Sequence, residues 1–214
     1  MNEPFIRHHE YNFIKQQTKI MQRTMTTDPK VIEAVRYSAA SKVVEMFPEV
    51  TGEQKQLLEK ISTLKSTDQY QEYLDELAPY VVDFPKVTEK QIKKLFPKNK
   101  KLTIPDLSEV DHKSLTYLGW SDIATSKVFM VYPLNGEVVG VEGRFTMANK
   151  KDVCSLCKGY GEVALVTAIS KAKSSQSIDY YKAVGNYMCI DHHKCNQSIT
   201  DVTALERFIY SVMG

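Results

Sequence analysis

The sequence predicts an α+β protein in two parts: an amino-terminal antiparallel helical bundle, then an α+β domain tied together by a metal site. Three observations predict it. The first eighty or so residues contain a single glycine, Gly52, and place apolar residues at helical spacing. From Ser114 onward the apolar spacing shortens to two, the period of a strand. All four cysteines then fall in one stretch, as Cys154-x2-Cys157 and Cys189-x5-Cys195, with 31 residues between the pairs. The change in character near residue 84 divides the chain into a bundle of residues 1–83 and a second domain of residues 84–214.

In the bundle, Ile6, Phe13 and Ile20 recur at sevens and predict a first helix with one apolar seam. Asp28-Pro29 opens a second helix: a carboxylate able to cap free N–H groups, then proline in the first turn. Val31, Val35, Ala39 and Val43 follow at spacings of four, and Pro48 after Phe47 marks the stop. Thr51 with Gln54 makes a capping box for a third helix, whose stripe is Leu57, Leu58, Ile61 and Leu64. Ser66 with Gln69 offers another, leading to Tyr70, Tyr73, Leu74 and Leu77 before Pro79. Four short amphipathic helices with brief links make a small bundle, and their stripes are its core.

Pro79, Pro85, Pro97 and Pro105 rule out a continuous helix across residues 79 to 111. A short helix from Thr88 to Phe96 fits, since Thr88 and Gln91 again form a capping box. Lys93 and Lys94 precede its end, and Lys98, Lys100 and Lys101 follow it. Such a run is either a solvated face or a contact with an acidic protein surface or ribosomal RNA phosphate.

In the second domain, Val128 to Tyr132 and Glu137 to Glu142 flank Asn135-Gly136, a hairpin signal. Glu162 to Ile169 reads as a buried strand, Lys171 to Ser177 as a polar loop, and Tyr180 to Met188 as a returning strand. Thr203 and Glu206 open a final helix carrying Leu205, Phe208, Ile209 and Val212.

Cys154 and Cys157 sit in VCSLCKGYGE, where Gly159 and Gly161 let the backbone curl around the sulfurs. This is the form of a zinc knuckle, two thiolates from one tight turn about 2.3 Å from a tetrahedral ion. The second pair, in YMCIDHHKCN, precedes a helical segment. Disulfides are the weaker reading, because nothing upstream looks secretory and cytosolic thiols stay reduced. Ordinary buried thiols would not gather in two close pairs. The residues favour a single structural zinc on four cysteines, with His192 or His193 in place of Cys189 as the alternative ligand set. Two adjacent histidines beside a cation-rich loop read as solvated.

The 214 residues carry a net charge of +2, which does not indicate a wholesale electrostatic grip on nucleic acid. The apolar share of 43% is ordinary for a soluble protein. MNEPFIRHHEYNFIK lacks the apolar core of a signal peptide and no run approaches a membrane span, so the expected compartment is the cytoplasm; no feature suggests an oligomer, and a monomer is expected. There is no nucleophile elbow, phosphate-cradling glycine loop or HExxH helix, and Asp191-His192-His193 lacks a partner nucleophile. No enzyme is expected. Tyr180, Tyr181, Tyr187 and Phe208 cluster around the metal site with Lys158, Lys182 and Lys194. Such surfaces anchor protein interfaces or stack on bases, although part of the set belongs to a core.

VCSLC-K, GNYMCIDHHKCNQSITD and LGWSDIATSK around Trp120 resemble the fusidic acid resistance proteins of the FusB/FusC type, which bind elongation factor G. The most specific part is Gly-x-Tyr-x-Cys-x-Asp-x3-Cys-Asn, here Gly185, Tyr187, Cys189, Asp191, Cys195 and Asn196. The resemblance extends over the layout of the whole chain and implies a treble-clef-like finger on Cys154, Cys157, Cys189 and Cys195. It further implies binding to the carboxy-terminal domains of elongation factor G and release of the factor from the drug-stalled ribosome, without modification or direct binding of the drug. Tyr187 and Phe208 match family positions tied to that binding, and Lys182 and Lys194 supply the basic component. Val153 and Val184 depart from the family pattern, where some relatives carry an aromatic and a lysine. The alternatives are a zinc-ribbon module that binds ribosomal RNA directly and, more weakly, a metalloenzyme.

Overall fold

The computed structural model describes residues 3–170 and 182–214. Chain contacts divide it into Met1–Val82 and Asp83–Gly214. The loop expected at Lys171 to Ser177, together with Tyr180 and Tyr181, lies outside the described residues.

The first unit contains α1 (His8–Arg23), α2 (Pro29–Glu45), α3 (Gly52–Glu59) and α4 (Thr67–Leu77), with a 3-10 turn at Lys60–Thr63. Asp28 caps α2 by accepting from the Lys30 N–H, and Thr51 and Gln54 exchange both hydrogen bonds of a capping box on α3. At α4 the box is half formed. Ser66 accepts from the Gln69 N–H, but the Gln69 carboxamide accepts from the Lys65 N–H instead of from Ser66.

The α1 seam expected from Ile6, Phe13 and Ile20 is displaced. Ile6 precedes the helix and bridges to Val81, where its N–H donates to the Tyr80 carbonyl and its own carbonyl accepts from the Val82 N–H. Ile20 is 47% exposed, and the buried seam is Ile14 and Met21, also seven apart but one residue on. Val31 likewise turns outward, while Ala39 and Val43 are buried. The core joins these residues to Leu58, Ile61, Tyr70, Tyr73, Leu74 and Leu77. Tyr73, buried, donates its hydroxyl to the Leu58 carbonyl at 3.0 Å.

The second unit opens with α5 (Glu89–Leu95), capped by Thr88 and Gln91. Then come β1 (Leu118–Asp122), β2 (Lys127–Leu134), β3 (Glu137–Met147), β4 (Asp152–Val153), β5 (Tyr160–Gly161), β6 (Val163–Ile169), β7 (Ala183–Cys189), α6 (His192–Ser198) and α7 (Thr203–Met213). Among the described residues, five strands form one antiparallel sheet in the order β1-β2-β3-β6-β7, and β4 pairs with β5. Asn135 and Gly136 both have positive φ, 52° and 81°, which turns β2 into β3 with the twist a two-residue hairpin needs.

Val128 through Tyr132 are all buried, because this half of the sheet is covered on both faces. Val128, Met130 and Tyr132 enter a core with Leu205, Phe208, Ile209 and Val212 of α7. Phe129 and Val131 enter a second core with Ile92 and Phe96 of the α5 region and Trp120. There Trp120 stacks on Phe129 at 5.2 Å and donates its indole N–H to the Thr103 carbonyl. A Cβ on Gly140 would lie 2.8 Å from the Leu95 Cβ, so α5 packs against bare β3 backbone. Strand alternation carries this face on through Arg144 and Thr146 to Leu165, Thr167, Gly185 and Tyr187. α5 reaches the β1–β3 half; the β6–β7 half keeps Leu165, Ile169 and Tyr187 exposed.

Tyr73→Phe removes one buried hydrogen bond without changing ring packing. It is expected to lower unfolding free energy by about 1 kcal/mol, read as a lower urea midpoint in far-ultraviolet circular dichroism. An unchanged midpoint would remove that bond from the account of the bundle.

Candidate metal centre

Four sulfurs meet where three pieces of chain converge. Cys154 and Cys157 lie in the turn between β4 and β5, Cys189 ends β7, and Cys195 lies within α6. The turn closes through the Cys154 N–H on the Gly159 carbonyl and the Lys158 N–H on the Cys154 carbonyl, each 2.9 Å. Its left-handed residue is Lys158, with φ of 60°, and neither flanking glycine has positive φ. The conformational role expected of Gly159 and Gly161 thus falls on their neighbour. The Ser155 N–H donates to the Tyr187 carbonyl at 2.7 Å and docks the turn on β7.

The four Sγ atoms lie within 4.8 Å of one another, with Cys154 to Cys195 at 3.9 Å and Cys157 to Cys189 at 3.7 Å. A tetrahedron with metal–sulfur bonds of about 2.3 Å has edges of about 3.8 Å, so the donor set fits zinc in both element type and size. The electrostatics agree. A hydrogen bond from Cys157, joined by those from Cys189 and Cys195, pulls the Cys154 thiol down, while the interaction with Cys154 pushes Cys189 and Cys195 up. One thiolate is stabilised by its neighbours and then opposes ionisation of Cys189 and Cys195, and a divalent cation would remove that opposition. Four protein donors would complete a tetrahedral zinc shell, the ligand number of a zinc finger.

Neither histidine belongs to the quartet. His192 is not solvated as expected. Its Nδ1 lies 3.1 Å from the Tyr117 hydroxyl and its Nε2 3.1 Å from the Ser121 hydroxyl, and burial pushes its pKa down to about 4, leaving the ring neutral at pH 7. His193 is paired with Gln197 at 2.8 Å. Asp191 caps α6 through the Lys194 N–H, which holds its carboxyl below the ordinary value. Asp191, His192 and His193 are thus each engaged with different partners.

The contact between α6 and β1 also depends on Asn196. Its Oδ1 accepts from the Thr116 and Tyr117 N–H groups at 2.7 and 3.1 Å, and its Nδ2 donates to the Tyr117 and His192 carbonyls at 3.0 Å. A Cβ on Gly119 would lie 2.6 Å from the His192 Nδ1, so the ring occupies the space a side chain would take. Sequence reasoning assigned no role to Asn196, Tyr117 or Gly119. The available signal was a glycine inside a strand, a mark of close approach.

Of the proposed contact residues, Tyr187 is 42% exposed and pairs across the sheet with Leu165, and Lys182 and Lys194 are exposed. Phe208 is corrected. At 1% exposure it packs beneath the sheet with Leu205, Ile209 and Val212, in the core and not on the exposed surface. The apolar stripe of its helix accounts for the position of the ring.

The family model described as elongation factor G-binding protein, N-terminal, matches residues 5–85. The FBP C-terminal treble-clef zinc-finger model matches residues 95–207. Among solved structures, one described as the fusidic acid resistance protein FusC is similar with a TM-score of 0.80 and 26% identity, over 97% of each chain. No curated protein matches the sequence.

Elemental analysis of the purified chain is expected to return about one zinc per molecule, falling to near zero in Cys189→Ser and remaining near one in His192→Gln. Zinc loss in the histidine variant with retention in the cysteine variant would overturn the ligand set. Asn196→Ala leaves several buried backbone groups unpaired and is expected to cost about 3 kcal/mol, measured by denaturant titration.

Proposed function

The chain belongs to the elongation factor G-binding proteins with an FBP-type treble-clef zinc finger, and we propose that it binds elongation factor G and promotes its release from ribosomes stalled by fusidic acid. The observation that carries this reading is that one family match falls on the helical unit and the other on the finger unit. In this reading the cytoplasmic protein protects translation by binding alone. It neither holds nor alters the drug, and it has no catalytic step.

The docking surface is the uncovered β6–β7 half of the sheet beside the finger. Tyr187, Leu165 and Ile169 are exposed there, Val153 and Tyr160 add exposed apolar surface on the turn, and the exposed Lys182 just before β7 and Lys194 on α6, paired with Asp191 at 3.2 Å, are the basic residues assigned to it. Rigid tyrosines with mixed apolar and polar character are suited to anchoring an interface. Zinc in the cysteine cage cross-links the turn, β7 and α6, and thereby fixes the backbone under Tyr187.

Release requires that the protein bind the departing form of the factor more tightly than the ribosome-locked form. A tenfold faster departure needs about 1.4 kcal/mol of differential binding, less than the ~2 kcal/mol or more of one aromatic hot spot. The chemistry can therefore be entirely that of an interface. Its reach is set by the difference between two affinities, not by their absolute strength.

Calorimetry with purified elongation factor G is expected to show at least about a thirtyfold loss of affinity for Tyr187→Ala, with zinc content and fold retained. Undiminished binding by that variant would remove β7 from the interface, and absence of binding by the parent chain would remove the partner.

A further inference from the structure

Residues 86–101 contain seven lysines and one glutamate, a local charge of +6 (seven less one), which leaves −4 on the rest of a chain whose total is +2. All seven lysines are exposed. Lys93 is held by Glu89 at 2.9 Å, and Lys86, Lys90, Lys94, Lys98, Lys100 and Lys101 enter no ion pair among the described residues. We propose that this segment is a contact surface for the phosphate backbone of double-helical RNA, separate from the β6–β7 face.

The lysines are displayed from a fixed frame. Ile92 and Phe96 are buried beneath the segment, in the core with Trp120 and Phe129. The loop after α5 is pinned at its centre: Asn99 Nδ2 donates to Glu142 at 2.6 Å, and Lys127 donates to Asn99 Oδ1 at 2.6 Å while pairing with Glu142 at 2.7 Å. Glu142 is thus occupied by Asn99 and Lys127, and the lysines on either side of Asn99 project from an anchored turn.

The residue types choose the partner. The segment contains no arginine. Protein interfaces are enriched in arginine and depleted in lysine, and the guanidinium fork is what matches a carboxylate in two hydrogen bonds. Hydrated ammonium groups on long stems suit a repeating phosphate ladder, where charge counts and geometry is loose. The segment's one aromatic, Phe96, is buried, so bases have nothing to stack on. That favours a duplex read by its backbone over a single strand held by its bases. The small total charge is no objection, because at physiological salt a charge is felt over about 8 Å, and within that range the segment, not the whole chain, sets the field.

The test is fluorescence anisotropy of the full zinc-loaded chain with a labelled RNA duplex of arbitrary sequence, over a series of salt concentrations. Binding with a dissociation constant of about 1–100 µM near 50 mM salt is expected, with a log–log salt slope approaching about −5 if all six free lysines engage. The variant Lys90→Gln, Lys94→Gln, Lys98→Gln should flatten the slope by about 3, one unit per lysine. It should leave zinc content, circular dichroism and affinity for elongation factor G unchanged, while Tyr187→Ala should leave RNA affinity unchanged. These crossed readouts separate failure of this surface from failure of the docking face. Lack of duplex binding overturns the proposal, as does a variant slope equal to the parent's. Binding of polyglutamate of the same charge as tightly as the duplex also overturns it, and assigns the segment to an acidic protein.

Discussion

Four thiolates cannot share one cage without a cation, and the second unit is built around that constraint. The sulfurs come from a turn, the end of a strand and a seven-residue helix, none of which would hold its place alone. The hydrogen bonds to the Cys154 sulfur that raise Cys189 and Cys195 would give way, with zinc bound, to attraction toward a common centre, so metal loading and completion of this corner of the fold would be coupled. The rest of the sheet does not need the metal in this way, since β2 is buried in apolar cores on both sides. Zinc there would set local geometry, while the two apolar cores hold the remainder of the sheet.

α6 is held a second time, by chemistry of another kind. Asn196 substitutes for backbone pairing at the entrance to β1, and the neutral His192 ring bridges Tyr117 and Ser121 across the gap left by Gly119. These contacts use fully satisfied polar groups in a buried setting, which specifies one orientation more sharply than apolar packing does. The metal fixes where the helix is along the finger. The polar clasp fixes which way it faces against the sheet.

What the sequence disclosed follows from the range of the interactions involved. Capping boxes at Thr51 and Thr88, the Asp28-Pro29 start, the Asn135-Gly136 turn and the cysteine spacing are written within a few residues, and the described structure carries them where they were read. Misreadings arose where a local pattern had two solutions. On α1, Phe13 with Ile20 and Ile14 with Met21 have the same spacing, and only packing against the other helices chooses between the two faces. Phe208 was correctly legible as part of an apolar helical stripe, and the surface role implied by resemblance conflicted with that stripe. His192 and Asn196 were illegible because their partners lie more than 70 residues earlier in the chain, at Tyr117 and Thr116, and neither end has a motif that names the other.

The same limitation applies to charge. A total of +2 argues against a nucleic-acid role only if the charges are mixed, and here they are segregated into one short segment with an opposite excess elsewhere. The sheet gives that segregation a geometry. Within this unit, α5 covers the β1–β3 half of one face and carries lysines on its outer side, while the β6–β7 half of that face is bare, apolar and flanked by the finger. A single layer thus presents two chemically distinct areas side by side, one suited to fitting a shaped protein surface and the other to a diffuse polyanion. Shape recognition is slow to find and specific when found, whereas a cationic surface raises encounter rate and gives little selectivity. On the proposed reading, weak attraction to RNA would supply proximity while the apolar area supplies identity, and neither area would have to be strong for the pair to act together.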